Sequence, residues 1–166
     1  DYAQAYNNLG TALHKLDKIN DAVDSYKKAI ALKKDFAESY NNLGNAYEAS
    51  GQIEDAATNY AKALEVKPDY TDAMFNLGLM REKLREFEEA EQILEKCIKL
   101  EPRRADVHYE LGIVCAALGN RTKAQMCFHV VLSIDPENSL ARLALGNLFQ
   151  SVGRYDESVE QYDITI

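Results

Sequence analysis

AESYNNLGNAYEASGQIEDAATNYAKALEVKPDY, residues 37–70, decides the fold. Its apolar positions step by three and four, through Tyr40, Leu43 and Tyr47 and then Ala56, Tyr60, Ala63 and Leu64. That step keeps each set on one face of a 3.6-residue helix. The stretch therefore predicts two amphipathic helices, 37–50 and 53–66. Gly51 stands between them, where a helix C-terminus favours a residue at ease in left-handed φ/ψ. Pro68 closes the stretch by stopping the second helix and pre-setting the turn that follows.

The same pattern extends in both directions. Leu-Gly pairs recur at Leu9-Gly10, Leu43-Gly44, Leu77-Gly78, Leu111-Gly112 and Leu145-Gly146, always 34 residues apart. A small residue recurs at Ala22, Ala56, Ala90, Ala124 and Ser158, and a large one at Tyr26, Tyr60, Leu94, Phe128 and Tyr162. Ala29, Ala63, Cys97, Val131 and Thr165 form a further column, followed by Ile30, Leu64, Ile98, Leu132 and Ile166. Gly119 and Gly153 match Gly51, while Pro102 and Pro136 match Pro68. Ten helices follow from this layout, over 3–16, 19–33, 37–50, 53–66, 71–84, 87–100, 105–118, 121–134, 139–152 and 155–166. A glycine inside a helix costs roughly 1 kcal/mol against alanine. Its return in every unit predicts close backbone approach, with the facing helix crossing nearest at Gly44.

These residues resemble the tetratricopeptide repeat family, and the resemblance runs from Ala3 to Ile166. The second unit carries the family pattern through Tyr40, Leu43, Gly44, Tyr47, Ala56, Tyr60, Ala63 and Pro68. Departures are local: Lys34 replaces the first closing proline, Arg81 replaces an aromatic, and His108 and Arg142 occupy the first aromatic column. The resemblance implies an all-α, right-handed superhelical solenoid of helix-turn-helix repeats, about five units of 34 residues. Its boundaries would be 3–36, 37–70, 71–104, 105–138 and an incomplete 139–166. Residues 1–166 then form a single array, expected to be a fragment of a larger protein. The family places the first helix of each pair on a concave face and the second outside.

Composition narrows the function. Nineteen Lys and Arg against 27 Asp and Glu leave a net charge of −8, the wrong sign for nucleic acid or an anionic membrane. The longest nearly apolar stretch, Ile113 to Leu118, is too short to span a bilayer. Cys97, Cys115 and Cys127 form no metal-finger or disulfide-scaffold spacing. They are expected to pack as small apolar groups in a reducing, cytoplasmic compartment. Of the three histidines, His108 lies seven residues from Cys115, about 10 Å along a helix at 1.5 Å per residue. That spacing hinders shared coordination of one zinc. No nucleophile-base arrangement or phosphate loop is legible. The expectation is a chain without catalytic residues, metal or cofactor.

Candidate binding residues then lie on the first helices. Asn8, Asn42 and Asn76 repeat at 34 residues, with Asn45 nearby, and an amide carries both donors and an acceptor for a peptide backbone. Asn7 and Asn41 are also expected to face inward. The resemblance adds a parallel, since similar asparagine ladders line the superhelix of O-linked N-acetylglucosamine transferases; here the ladder stops at Glu110 and Ala144. A second feature is apolar bulk where stacking needs none: Phe75, Leu79, Tyr109, Ile113, Leu140 and Leu143. Glu38, Glu48, Asp72, Glu82, Asp106 and Glu110 surround it, with Lys15 and Lys83 as nearby counter-charges. A partner with apolar anchors and basic flanks would be attracted. Members of the family that clamp heat-shock C-terminal carboxylates use Lys and Arg at columns where this chain has Asn7, Asn41, Phe75, Asp72, Asp106, Asn76 and Glu110. Such a clamp is therefore not expected.

The leading expectation is a non-catalytic protein-protein interaction scaffold that holds a partner peptide in its concave groove. Two alternatives stand beside it: the substrate-recruiting arm of a multidomain enzyme of the O-linked N-acetylglucosamine transferase type, and a self-assembling structural solenoid. For the last, Tyr155, Val159, Tyr162 and Ile166 form an apolar end expected to associate with another copy or with further sequence.

Overall fold

A computed structural model describes residues 2–163 as ten α-helices, with no strand among the described residues. They are α1 (Tyr2–Lys15), α2 (Ile19–Leu32), α3 (Ala37–Ala49), α4 (Ile53–Val66), α5 (Thr71–Lys83), α6 (Phe87–Leu100), α7 (Ala105–Ala117), α8 (Arg121–Ile134), α9 (Ser139–Ser151) and α10 (Tyr155–Asp163). Among the described residues, boundaries fall within about a residue of those expected. Residues 164–166, on which the expected end of α10 falls and which include Thr165 and Ile166, lie outside the described residues. The architecture is an all-α solenoid of helical repeats. It divides into two compact units, residues 1–85 and 86–166.

In the first unit α1 packs on α2, α2 on α3, α3 on α4 and α4 on α5. In the second, α6 packs on α7, α7 on α8, α8 on α9 and α9 on α10. The 34-residue columns are the contact surfaces. Ala22, Ala56, Ala90 and Ala124 are fully buried, as are Tyr26, Tyr60, Leu94 and Phe128 beside them. One cluster joins Ala22 and Tyr26 of α2 to Leu43 and Ala46 of α3, with Leu13, Ile19, Val23, Ile30 and Tyr47 around it. Within each unit, a helix that has neighbours on both sides, such as α2, α3 or α4, packs against the element before it and the element after.

The mid-helix glycines have a more specific cause than backbone approach. A Cβ at Gly44 would lie 2.6 Å from Tyr60 Cε1 and 2.7 Å from Cδ1. Gly10 stands in the same relation to Tyr26, and Gly112 to Phe128. A ring from the second helix occupies the volume that the missing side chain vacates, so what crosses nearest is an aromatic edge. The hairpin turn repeats as well. Gly51, Gly119 and Gly153 have φ of 75°, 78° and 76°, and the same column holds Asp17 at 59° and Arg85 at 62°. At the second repeat Gly51 N–H bonds Glu48 C=O at 2.9 Å and Gln52 N–H bonds Tyr47 C=O at 2.9 Å. This paired closure satisfies the last helical carbonyls.

Polar residues in apolar columns find local partners. His108 is buried, with its Nε2 2.9 Å from the Pro102 carbonyl, and Arg142 donates to the Pro136 carbonyl at 2.6 Å. Ser158 of the alanine column donates to the Gly146 carbonyl at 2.9 Å. The departures from the family pattern therefore leave the helices in place.

The ring-on-glycine contact sets the sign of a substitution. Gly44→Ala gains about 1 kcal/mol of helix propensity but overpacks the Tyr60 ring, at about 1–3 kcal/mol. Chemical denaturation should show a net loss of stability in the wild-type background and a net gain in a Tyr60→Leu background, where the ring is gone.

Candidate functional site

The asparagines come first, because they join one repeat to the next. Asn7 is 1% exposed. Its Nδ2 donates to Glu38 at 3.0 Å, while its Oδ1 accepts from Ser39 at 2.9 Å and Asn42 at 3.1 Å. One repeat later, Asn76 Nδ2 donates to Asn41 and Asn45, both at 3.2 Å. Asn7 and Asn41 are thus buried between α1, α3 and α5 and do not face a groove. Asn42, Asn45 and Asn76 are half-buried participants in the same bonding. Asn8 is exposed and accepts from Gln4 within its own helix at 3.0 Å. The ladder seen in the sequence is, in the first unit, a set of struts between first helices.

The network continues into the hairpin core. Tyr60 donates to Asn45 at 2.8 Å, with Glu48 at 3.1 Å. Burial, reinforced by the Glu48 charge, raises the Tyr60 phenol far above its ordinary range. Lys83 reaches Glu48 at 2.6 Å. Glu38 is held by Asn7, and Asp106 is held by Arg104 at 3.1 Å. Three of the carboxylates read as a surrounding acidic field already have partners inside the chain.

The apolar residues divide between the units. Phe75 and Leu79 are half-buried on α5 in the first unit. In the second, Tyr109 and Ile113 of α7 meet Leu140 and Leu143 of α9 around a cleft of ≈ 400 Å³. Leu140 is 57% exposed and Leu143 45%. The half-buried Tyr109 ring is less free than its sequence position implies. It leans on Phe128 of α8, centroids 5.9 Å apart at 52°, and burial raises its phenol above the usual value. Arg121, Phe128, Asn147 and Ser151 also line the cleft. Arg121 was missed because it opens a second helix. The signal was present, for it interrupts the column Ile19, Ile53, Phe87, Arg121, Tyr155.

The remaining reactive groups are structural in their settings. All three cysteines are buried, and none forms a disulfide among the described residues. Burial pushes the Cys115 thiol up to about 12, which keeps it protonated at neutral pH. Cys115 lies 3.6 Å from Glu91, which shares Lys123 with Glu95. No group of three or more metal-ligating side chains occurs among the described residues. No described helix is long and apolar enough to cross a membrane.

The strut role of Asn7 separates it from its neighbour. Asn7→Ala leaves Ser39, Asn42 and Glu38 without a shared partner and should cost about 1–3 kcal/mol. Asn8→Ala should stay within about 0.5 kcal/mol of wild type. Urea unfolding of the two variants checks the contrast.

Comparison with known proteins agrees with this geometry. Family models described as TPR repeat and tetratricopeptide repeat match residues 10–51 and residues 41–97 and 81–125, respectively. No curated protein sequence matches the chain. Among solved structures, a MamA crystal structure is similar at TM-score 0.90 and 25% identity, covering 94% of this chain and 91% of that one. MamA 41-end from Desulfovibrio magneticus RS-1 superposes at TM-score 0.94 with 21% identity, covering 99% and 93%. YrrB, described as a TPR protein with an unusual peptide-binding site, superposes at 0.86 with 24% identity, covering 97% and 83%. With its 34-residue period, ring-on-glycine hairpins and these matches, the chain belongs to the tetratricopeptide repeat family.

Proposed function

We propose that the chain is a non-catalytic protein-interaction module that holds an apolar segment of a partner protein in the cleft between α7 and α9. One observation carries this reading: Leu140 and Leu143 remain largely exposed where they meet Tyr109 and Ile113 around an open cleft. Apolar side chains that stacking does not bury, gathered on a concave surface, are what a peptide anchor needs. The peptide-binding site of YrrB supports the reading by likeness of fold.

Leu143→Asp tests it. An exposed side chain that packs on little should change stability by no more than about 0.5 kcal/mol. Peptides selected from a random array on the wild-type protein should lose at least about 10-fold in affinity, as for an anchor contact. Tyr109→Ala is the mixed case. It should cost stability through its lost Phe128 contact, but less than the roughly 3–5 kcal/mol of a fully buried ring. Tyr60→Ala serves as the full-cost control. Unchanged binding by Leu143→Asp would remove the cleft from consideration.

A second reading, association of α10 with another copy, is supported by Tyr155 at 66% and Val159 at 54% exposed. Of the other two residues invoked for that end, Tyr162 is half-buried with its ring against Gly146, and Ile166 lies outside the described residues. Val159→Glu should then shift light-scattering mass toward monomer at high concentration. A wild-type protein that is already monomeric there ends this reading.

A further inference from the structure

Two columns of the repeat are inverted in the same cleft. Position 121 belongs with Ile19, Ile53, Phe87 and Tyr155, so four repeats place an apolar side chain where the fourth places arginine. Position 140 belongs with Gln4, Glu38, Asp72 and Asp106, so the fifth repeat places leucine where the others are polar or acidic. Neither exchange serves burial, because both side chains stay exposed. Both line the ≈ 400 Å³ cleft. The same fold is built four times without an arginine or a leucine at these places, so stacking does not require them.

Charge decides what complements this surface. Among the described residues that line the cleft there is no Asp or Glu, and Arg121 carries the lone charge. Among the described residues Arg121 also forms no ion pair. Of the other polar side chains there, Asn147 accepts from Tyr162 at 2.7 Å, and Ser151 donates to the Leu148 carbonyl at 2.7 Å. A guanidinium with no ion pair among the described residues, set beside apolar side chains, matches a carboxylate on the occupant.

Chain connectivity sets the spacing. Tyr109 lies in the first turns of α7, and Arg121 follows the end of that helix at Ala117 by one short turn. Eight residues of helix span about 12 Å, which an extended peptide covers in about four residues at ~3.3 Å each.

We propose that the occupant is a partner segment with a bulky apolar side chain about four residues from a carboxylate, the apolar group seated among Tyr109, Leu140 and Leu143 and the carboxylate held by Arg121. This rests on the cleft being the peptide site, and it replaces the expectation of basic flanks with an acidic one for this cleft.

The test uses a labelled peptide library of the form apolar-x-x-x-Glu, with Leu, Ile or Phe as the apolar residue. Matched libraries carry Gln or Lys in place of Glu. Against the wild-type chain at low salt, the Glu members should bind about 5- to 10-fold tighter than the Gln members. The advantage should shrink in salt and vanish in Arg121→Gln, which should bind Glu and Gln members alike. Arg121→Gln should melt with the wild type, since the side chain is exposed. If Leu143→Asp abolishes binding but Glu, Gln and Lys members bind alike, or Lys members bind best, the acidic-partner inference is overturned while the cleft reading stands. If no peptide binding responds to Leu143→Asp, both fail together.

Discussion

An aromatic ring resting on a glycine is the contact on which the α1–α2, α3–α4 and α7–α8 hairpins depend. Tyr26 covers Gly10, Tyr60 covers Gly44 and Phe128 covers Gly112, each in the space where a Cβ would lie 2.5–2.6 Å from the ring. The glycine is a poor helix former, yet its missing side chain lets the second helix bring a whole ring against the first. Burying a ring of this size is worth more than the roughly 1 kcal/mol lost in helix propensity. The remaining apolar columns can then mesh with the next repeat at a fixed distance.

Where helix pairs are built this way, the stacking face is committed and function is left to positions outside it. Two things happen at those positions in this chain. In the first unit, polar side chains turn inward: Asn7 is buried and bonded to three residues of the next first helix. In the second unit the equivalent column reads Tyr109 and Leu143, and the space between α7 and α9 opens as an apolar cleft. One column thus acts as a strut in one unit and as a surface in the other. The difference is hydrogen-bonding capacity, since a buried amide must be paired whereas a leucine can wait for a ligand.

The charge pattern of the cleft is local. The chain carries −8 overall, but several carboxylates that suggest an acidic surround are engaged by Asn7, Lys83 and Arg104. At the cleft itself the charged lining group is Arg121. Net charge speaks to non-specific attraction at a distance; recognition at contact depends on which charges remain unpaired.

The repeat, the ten helices and the glycine-ring columns were legible in the sequence, because amphipathic periodicity and the identity of stacking residues are properties of the chain read in order. The exposed leucines on α9 were legible for the same reason, as apolar residues outside the stacking columns. The fate of the asparagines was not. Asn42 and Asn76 bond amides of the preceding repeat, while Asn8, in the first helix of the sequence, bonds Gln4 of its own helix; which amides meet depends on distances between helices. Nor could spacing reveal that Tyr109 leans on Phe128 or that Arg121, from a second helix, enters a cleft made by two first helices. Which residues stack was written in a period of 34; which ones meet in the remaining space depended on how the helices pack, because a side chain's neighbours across a repeat are set by three-dimensional distance and not by order along the chain.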